Sequence, residues 1–160
     1  MAGGRDRLAM LELAVADEPL FLVSGIELER DGPSYSIDTV RAVLERRPEG
    51  AGELHWILGG DNLPGLPAWR EAEEFLRLVQ PIIHRRAGDD PRGLDALEGR
   101  LSAEAMERMR RGWLAAPPIT GRATYLRASL SRGGRHADLH PAVVDYALRR
   151  ALYGPAGSLH

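Results

Sequence analysis

Apolar residues along the chain follow two alternating patterns, one with helical spacing and one of short continuous runs. Apolar positions every three to four residues predict helices over 8–15, 36–47, 67–79, 102–111, 124–131 and 141–152. Short apolar runs bounded by turn-forming residues predict strands over 20–28, 54–58, 81–83 and 113–116. Strands alternating with helices are typical of an α/β domain built on a parallel sheet. We therefore predict a single domain over residues 1–153, followed by a flexible tail over 154–160.

Composition narrows the classes of function that such a domain could have. The 160 residues include 44% hydrophobic residues, no cysteine and a formal charge of −2. Disulfides, thiol nucleophiles and cysteine-ligated zinc are therefore excluded, and the charge argues against nucleic-acid binding. All 21 basic residues are arginine, so chemistry that needs a lysine amine is excluded as well. Because no apolar run approaches the roughly 18 residues that cross a membrane, we expect a cytoplasmic protein without membrane contacts.

A first candidate site lies where a Gly-Pro turn leads into a helix with hydroxyl groups at its start. Ser34, Ser36 and the amides of the first helical turn could bind a carboxylate, because helix N-termini present free N–H groups and a favourable dipole. The alternative is purely structural. Ser36 would then be the N-cap and Asp38 a first-turn acid that stabilises the helix.

A second candidate site follows the predicted strand over 54–58. Gly59 and Gly60 permit close approach of a ligand, and Asp61 at the carboxyl end of a strand suits ribose hydroxyls or a nucleotide-bound metal. Trp69 could stack flat against an aromatic ring. Alternatively, the glycines form only a turn and Trp69 packs in the core.

A third candidate site is the proline-stiffened approach to the helix over 124–131. Thr124 and the backbone amides could accept phosphate oxygens, and Arg127 could add a charge-assisted fork about one turn into the helix. The alternative is a capped surface helix with solvated arginines. The five histidines lack metal-binding spacing, and no serine lies in a G-x-S-x-G elbow, so we expect neither a protein-bound metal nor a serine hydrolase.

Taken together and in this order, these stretches resemble the nicotinate-nucleotide adenylyltransferase family. Residues 7–14 are similar to its helix R-x-x-M-L-x-L-A, and residues 32–39 to its more specific segment G-x-S-Y-T-x-D-T. Residues 59–69 are similar to G-A-D-x-L followed by L-P-x-W, including the spacing between the two halves. Residues 117–127 fall where the family has P-P-x-x-I-S-S-T-x-I-R, and residues 139–146 resemble L-x-P-x-A-V-x-x-Y.

The resemblance implies a Rossmann-like nucleotidyltransferase fold and adenylyl transfer from ATP to nicotinate mononucleotide, which yields deamido-NAD and pyrophosphate. Residues implied to contact the mononucleotide are Ser34, Tyr35, Ser36, Trp69 and Arg85. Residues implied to contact ATP are Gly59, Asp61, Thr124 and Arg127, the last as a stabiliser of phosphate charge. Mg²⁺ would arrive with ATP, and catalysis without a covalent enzyme intermediate would come from positioning and electrostatics.

The sequence departs from the family pattern in two places. The segment G-G-x-F-D-P-x-H-x-G-H, whose histidines contact the triphosphate, is not in this sequence, so the resemblance implies an N-terminally truncated fold without a first βαβ unit of roughly 30 residues. Gly121-Arg122-Ala123 stands in place of I-S-S, which removes two hydroxyl groups from the phosphate site. Without a central strand, we expect an exposed sheet edge or a split sheet, with either marginal stability or obligate partnering, for which a homo-oligomer is one possible form.

Two classes of function remain open at this stage. The chain is either an adenylyltransferase that is active with its N-terminal unit, or a noncatalytic module that binds nucleotides or supports assembly. An adenylyltransferase for another phosphate acceptor, such as pantetheine phosphate, is disfavoured by Ser34-Tyr35-Ser36 together with Trp69. A preference for nicotinate over nicotinamide mononucleotide is implied by the resemblance alone.

Overall fold

The structure is a computed structural model that describes residues 2–85, 93–117 and 123–154. Its elements, in chain order, are α1 (Gly4–Ala14), α2 (Ser36–Arg46), β1 (His55–Gly59), a 3₁₀ helix (Gly60–Ala68), α3 (Ala72–Leu78), β2 (Gln80–His84), a short 3₁₀ turn (Asp95–Leu97), α4 (Ala103–Arg111), α5 (Ala123–Ser131) and α6 (Pro141–Arg149). The predicted loop over 88–91, the Gly121-Arg122 departure and residues 155–160 of the predicted tail lie outside the described residues. No helix in the described ranges combines the length and the apolar character that a membrane span requires.

The chain divides into two compact units. The first combines the two ends of the chain, Met1–Asp31 and Gly121–His160, and the second is the continuous stretch Gly32–Thr120. The single domain over residues 1–153 stays a prediction.

The first unit is a small helical assembly in which α1 and α5 both contact α6. Its core is a cluster of the buried apolar residues Ala2, Met10, Leu130, Val143, Val144 and Ala147. The start of α6 follows local rules, since Pro141 occupies the first turn and the ring of His140 accepts a hydrogen bond from the amide of Ala142. Across the unit, the carboxylate of Asp6 on α1 accepts a hydrogen bond from the Tyr146 hydroxyl at 2.9 Å. This hydrogen bond joins two residues that are 140 positions apart in the sequence.

The predicted strand over residues 20–28 is wrong. The structure has irregular chain and a turn there, and Leu20, Phe21 and Leu22 are 94%, 66% and 93% exposed. The turn is closed by a hydrogen bond of 2.7 Å from the amide of Leu28 to the carbonyl of Gly25. An apolar run becomes a strand only when a neighbouring strand pairs with its backbone, and none of the described residues does so here.

The second unit contains a two-stranded parallel sheet. Its register pairs His55 with Gln80 at one end and Gly59 with His84 at the other, so the carboxyl ends of both strands lie side by side. The 3₁₀ helix and α3 make the crossover that a parallel connection requires. These two elements replace the continuous helix predicted over 67–79. The strand predicted over 113–116 is reduced to one parallel bridge between Ile83 and Trp113.

The core of the second unit lies between this sheet and the helices α2, α3 and α4. Each helix contributes an apolar stripe, as its spacing predicts, with Val40, Phe75 and Met109 fully buried. The predicted cap of α4 is confirmed, because the Ser102 hydroxyl accepts a hydrogen bond from the amide of Ala105 at 3.2 Å. An α/β arrangement with parallel strand pairing, predicted from the sequence, is therefore confirmed.

Candidate functional site

Several of the predicted substrate residues lie around one cleft of about 300 Å³ in the second unit. The residues that line it are Ser34, Tyr35, Ser36, Ala68, Trp69 and Arg70. We call it the Trp69 cleft. Its two sides come from segments that are far apart in sequence, the start of α2 and the end of the first 3₁₀ helix. The structure thus brings together four residues that sequence analysis had placed in two separate stretches.

One side of the Trp69 cleft is the N-terminus of α2. Tyr35 is the N-cap in extended conformation, and its carbonyl accepts hydrogen bonds from the amides of Asp38 and Thr39 at 3.0 and 3.2 Å. The Tyr35 side chain makes no capping hydrogen bond to the amides of the first turn. Ser36 is the first helical residue, so the structural alternative in which Ser36 acts as the N-cap is wrong. Amide groups of a first helical turn are suited to an anion such as a carboxylate.

The opposite side is the indole of Trp69. Trp69 is half-buried and lies 5.5 Å from the ring of Phe75, with an angle of 57° between the ring planes. Phe75 is fully buried and also contacts Trp56 edge to face at 5.4 Å. Trp69 packs against the core, as the structural alternative predicts, and it also lines the cleft. Its predicted stacking against an aromatic ring of a ligand stays a prediction.

Arg70 also lines the cleft, and the sequence analysis missed it. Its guanidinium carbon stands 4.9 Å from the centre of the Tyr35 ring, a distance typical of a cation–π contact. Its nearest carboxylates are those of Asp38 at 3.9 Å and Glu71 at 3.8 Å. Glu71 is held more closely by Arg41, which donates two hydrogen bonds of 3.2 and 2.6 Å. The only signal in the sequence was its position directly after Trp69.

The carboxyl edge of the sheet carries the second group of predicted residues. Gly59 ends β1, and a side chain there would collide with a carboxylate oxygen of Asp61. Asn62 donates hydrogen bonds to the carbonyl of Gly59 at 3.4 Å and to the carboxylate of Asp61 at 3.3 Å. The absence of a side chain at Gly59 therefore lets the exposed Asp61 carboxylate fold back beside the strand end.

Arg85 follows β2 at the same edge of the sheet. Its Nε atom is buried and has no hydrogen-bond partner among the described residues. The guanidinium carbon lies 6.0 Å from the centre of the Trp113 ring. Arg85 does not line the described part of the Trp69 cleft, so its predicted contact with the mononucleotide stays a prediction.

No group of three carboxylate or histidine side chains in the described ranges is arranged to hold a metal ion. Asp61 is exposed close to the carboxyl end of β1. Mg²⁺ in nucleotide sites is commonly held by one or two carboxylates together with the substrate phosphates. The predicted contact of Asp61 with a magnesium ion that arrives with ATP therefore stays a prediction.

The predicted phosphate residues Thr124 and Arg127 belong to the first unit. Both are exposed on α5, with Thr124 in its first turn. Arg127 lines a cavity of about 420 Å³ formed mainly by apolar side chains of α1, α5 and α6, and Arg7 lines the same cavity. Their contact with ATP phosphates stays a prediction.

Comparisons with known proteins give a consistent result, although no protein-family model matches the chain. The chain is 38% identical over 151 residues to a probable nicotinate-nucleotide adenylyltransferase of Synechococcus sp. (strain JA-3-3Ab), covering 93% of this chain and 69% of the relative. Proteins with the same description are 37% identical in Aeromonas hydrophila, covering 94% and 74%, and 35% identical in Dehalococcoides mccartyi, covering 92% and 71%.

One solved structure supports the fold. Plasmodium falciparum nicotinic acid mononucleotide adenylyltransferase complexed with APC superimposes with a TM-score of 0.60, covering 93% of this chain and 75% of that chain. Sequence identity over this match is 16%, so the likeness concerns the fold. The Rossmann-like nucleotidyltransferase fold expected from the sequence is confirmed.

Proposed function

The chain belongs to the nicotinate-nucleotide adenylyltransferase family, and we propose that it transfers the adenylyl group of ATP to nicotinate mononucleotide. In this reaction an oxygen of the mononucleotide phosphate forms a bond to the α-phosphorus of ATP. The bond between that phosphorus and the bridging oxygen of the β-phosphate breaks, and pyrophosphate leaves with the electron pair. The products are deamido-NAD and pyrophosphate.

The observation that carries this proposal is the composition of the Trp69 cleft. A pyridine ring with a carboxylate has an aromatic face and an anionic edge. The cleft offers an indole against which the ring can lie, and a helix N-terminus with Ser34 and Ser36 for the carboxylate. Both features occur in one space of about 300 Å³, a size that suits one ring and its substituent rather than a whole dinucleotide.

Positioning is the contribution that these residues would make to the rate. Phosphoryl-transfer enzymes gain most of their acceleration by aligning the attacking oxygen and by offsetting charge on the phosphates. We assign ring placement to Trp69 and Ser36, and nucleotide contacts to Asp61 with Mg²⁺ as part of the ATP substrate. Thr124 and Arg127 are assigned to the phosphates, and Arg85 remains a candidate for the mononucleotide. Since the reaction consumes ATP, we also propose a cytoplasmic location.

Binding is the first test of the proposal. The purified 160-residue chain is titrated calorimetrically with nicotinate mononucleotide, with Mg-ATP and with pantetheine phosphate as the competing acceptor. We expect the first two to bind and pantetheine phosphate not to bind. Preference for pantetheine phosphate would contradict the proposed acceptor.

Pyrophosphate release is the second test, and it separates enzyme from noncatalytic module. The assay is run on the chain and on a version extended by the in-frame coding sequence upstream of it. Release by either form, dependent on both substrates, supports the proposal. Binding of nucleotide without release by either form would instead favour the noncatalytic module, and the absence of binding would contradict both the enzyme and a nucleotide-binding module.

A further inference from the structure

Arg70 combines a position in the Trp69 cleft with hydrogen-bonding capacity that its neighbours among the described residues leave unused. The guanidinium has five N–H donors, yet its carboxylate contacts are 3.9 Å to Asp38 and 3.8 Å to Glu71. Both distances exceed the 2.7–2.9 Å or so of a charge-assisted hydrogen bond. Within the described part of the chain, these long contacts hold the cation near the cleft without satisfying its donors.

Other arginines of the same unit form close hydrogen bonds to carboxylates, in contrast to Arg70. Arg77 on α3 donates two hydrogen bonds of 2.7 Å to the carboxylate of Glu74. Arg41 donates two hydrogen bonds to Glu71. The Glu71 carboxylate near Arg70 is therefore already paired with another cation. Arg70 is as exposed as Arg77, at 53% against 59% of the side chain. The difference between them is therefore in partners and not in access to solvent.

The position of the Arg70 guanidinium follows from its place in the sequence and from one contact. Arg70 directly follows Trp69, and its guanidinium carbon lies 4.9 Å from the centre of the Tyr35 ring at the N-cap of α2. A ring that lies against Trp69 and directs its substituent toward the start of α2 therefore brings that substituent within reach of Arg70. A carboxylate substituent would meet both the helix N-terminus and the guanidinium.

We propose that Arg70 is a specificity residue that makes this cleft favour a pyridine ring bearing a carboxylate over one bearing a carboxamide. The inference rests on the proposed function and adds a residue to it. A carboxylate accepts hydrogen bonds on both oxygens, and its charge complements the guanidinium. A carboxamide presents one accepting oxygen and an NH₂ group, which would face the N–H donors of the arginine without forming a bond.

The discriminating experiment uses Arg70→Gln, which removes the charge and keeps much of the side-chain length. The purified full chain is titrated with nicotinate mononucleotide and separately with nicotinamide mononucleotide, and the ratio of the two dissociation constants is compared with that of the unmodified chain. We expect the preference for the nicotinate form to fall about ten-fold, the lower range for loss of a hydrogen bond to a charged group. Affinity for the nicotinamide form should be almost unchanged.

Two further variants exclude a purely structural role for Arg70. Arg70→Lys keeps the charge without the fork and should retain an intermediate preference. Arg77→Gln is the matched control, since it removes an exposed arginine that is paired with Glu74 and does not line the cleft. Its ratio should equal that of the unmodified chain. If Arg70→Gln weakens both mononucleotides equally, Arg70 only supports Tyr35, and the inference is overturned.

The same titrations separate this inference from the proposed function. An unmodified chain that binds nicotinate mononucleotide, together with an unchanged ratio in Arg70→Gln, would overturn the role of Arg70 alone. An unmodified chain that binds neither mononucleotide would overturn the proposed function and the inference with it. Circular dichroism of each variant verifies that the helical content is retained.

Discussion

Trp69 shows how one side chain can serve the core and the cleft together. Its indole contacts Phe75, which is fully buried, and also lines the space beside Tyr35. A ring anchored on a buried neighbour loses little further freedom when a ligand packs on it, because its rotamer is already restricted. The residue is therefore a rigid aromatic surface rather than a mobile lid.

Replacing Trp69 with leucine should weaken both pyridine mononucleotides to the same extent. We expect a loss of about three- to ten-fold for each, from the roughly 0.5–1.5 kcal/mol of an aromatic pair. The ratio between nicotinate and nicotinamide forms should stay constant, in contrast to Arg70→Gln. Calorimetric titration gives both constants. Trp69→Phe, which retains a ring, serves as control and should lose less affinity than Trp69→Leu.

Substitution of Gly59 tests the proposed contact between Asp61 and Mg-ATP. Its backbone angles of φ −73° and ψ 141° are allowed for alanine, so Gly59→Ala should keep or raise stability, by up to about 1 kcal/mol. The new methyl group would displace the Asp61 carboxylate. If Asp61 contacts ATP or its magnesium, affinity for Mg-ATP should fall about ten-fold.

The control for Gly59→Ala is Gly65→Ala in the adjoining 3₁₀ helix, where an added methyl group meets no atom within 4 Å. That variant should bind Mg-ATP as the unmodified chain does. Equal affinity in Gly59→Ala and Gly65→Ala would remove Asp61 from the nucleotide site. Urea unfolding of both variants measures the change in stability separately.

At the level of elements, the Trp69 cleft depends on how α2 and α3 are joined. Arg41 on α2 donates two hydrogen bonds to Glu71, the N-cap of α3. Glu71 has φ 52° and ψ 45°, a left-handed conformation that is uncommon for a residue other than glycine. The ion pair holds this residue in place and thereby sets the direction of the chain between Trp69 and α3.

This ion pair predicts a dependence of stability on pH. The pKa of Glu71 is lowered below its ordinary value of 4.5, mainly because Arg41 donates hydrogen bonds to the carboxylate. A carboxylate with a lowered pKa in the folded state stabilises that state above its ordinary pKa, and the stabilisation is lost as pH falls through the lowered value. Urea midpoints measured from pH 7 to about pH 3 should therefore decline once the pH falls below the ordinary pKa of 4.5.

The decline should be smaller in Arg41→Gln, because its Glu71 titrates closer to the ordinary value. Arg100→Gln is the matched control, since Arg100 donates to the carbonyl of Pro64, which does not titrate. Its pH profile should match that of the unmodified chain. Identical profiles for Arg41→Gln and the unmodified chain would show that the ion pair contributes no measurable stability.

For the whole molecule, the first unit is built from both ends of the chain. Asp6 on α1 accepts a hydrogen bond from Tyr146 on α6 at 2.9 Å and forms an ion pair with Arg150, just after α6, at 2.8 Å. Hydrogen bonding to Asp6 is the main cause that raises the pKa of Tyr146 above its ordinary value of 10.0. These three side chains join the beginning of the chain to its last helix.

We expect Tyr146→Phe to lower the thermal midpoint of the first unit at neutral pH. A raised tyrosine pKa stabilises the folded state fully below about pH 10, and the stabilisation is lost as pH rises through the folded value. The difference between variant and unmodified chain should therefore shrink at alkaline pH. Hydrogen exchange of α1 and α6 amides reports the effect in this unit. Tyr125→Phe, at an exposed position of α5, should behave as the unmodified chain.

The local pattern of the sequence determined most of the helices, with the continuous helix predicted over 67–79 as the exception. The prediction of a helix over 36–47 differs from the observed Ser36–Arg46 by one residue, and the cap at Ser102 is where it was expected. Helical hydrogen bonds join residues four apart, so spacing and capping residues carry enough information. The short apolar runs before Gly59 and at Ile82 and Ile83 also marked the two strands that pair.

Only the tertiary structure decided which apolar runs became strands and which polar residues met. Residues 20–28 have the composition of a strand but no pairing partner among the described residues, and strand formation depends on such distant partners. Arg70 was missed for the same reason, because its place beside Tyr35 depends on the 3₁₀ helix, on the conformation of Glu71 and on the packing of α3 against α2. Sequence motifs determined the family and most candidate residues, whereas the geometry of the cleft depends on contacts between residues 30 or more positions apart.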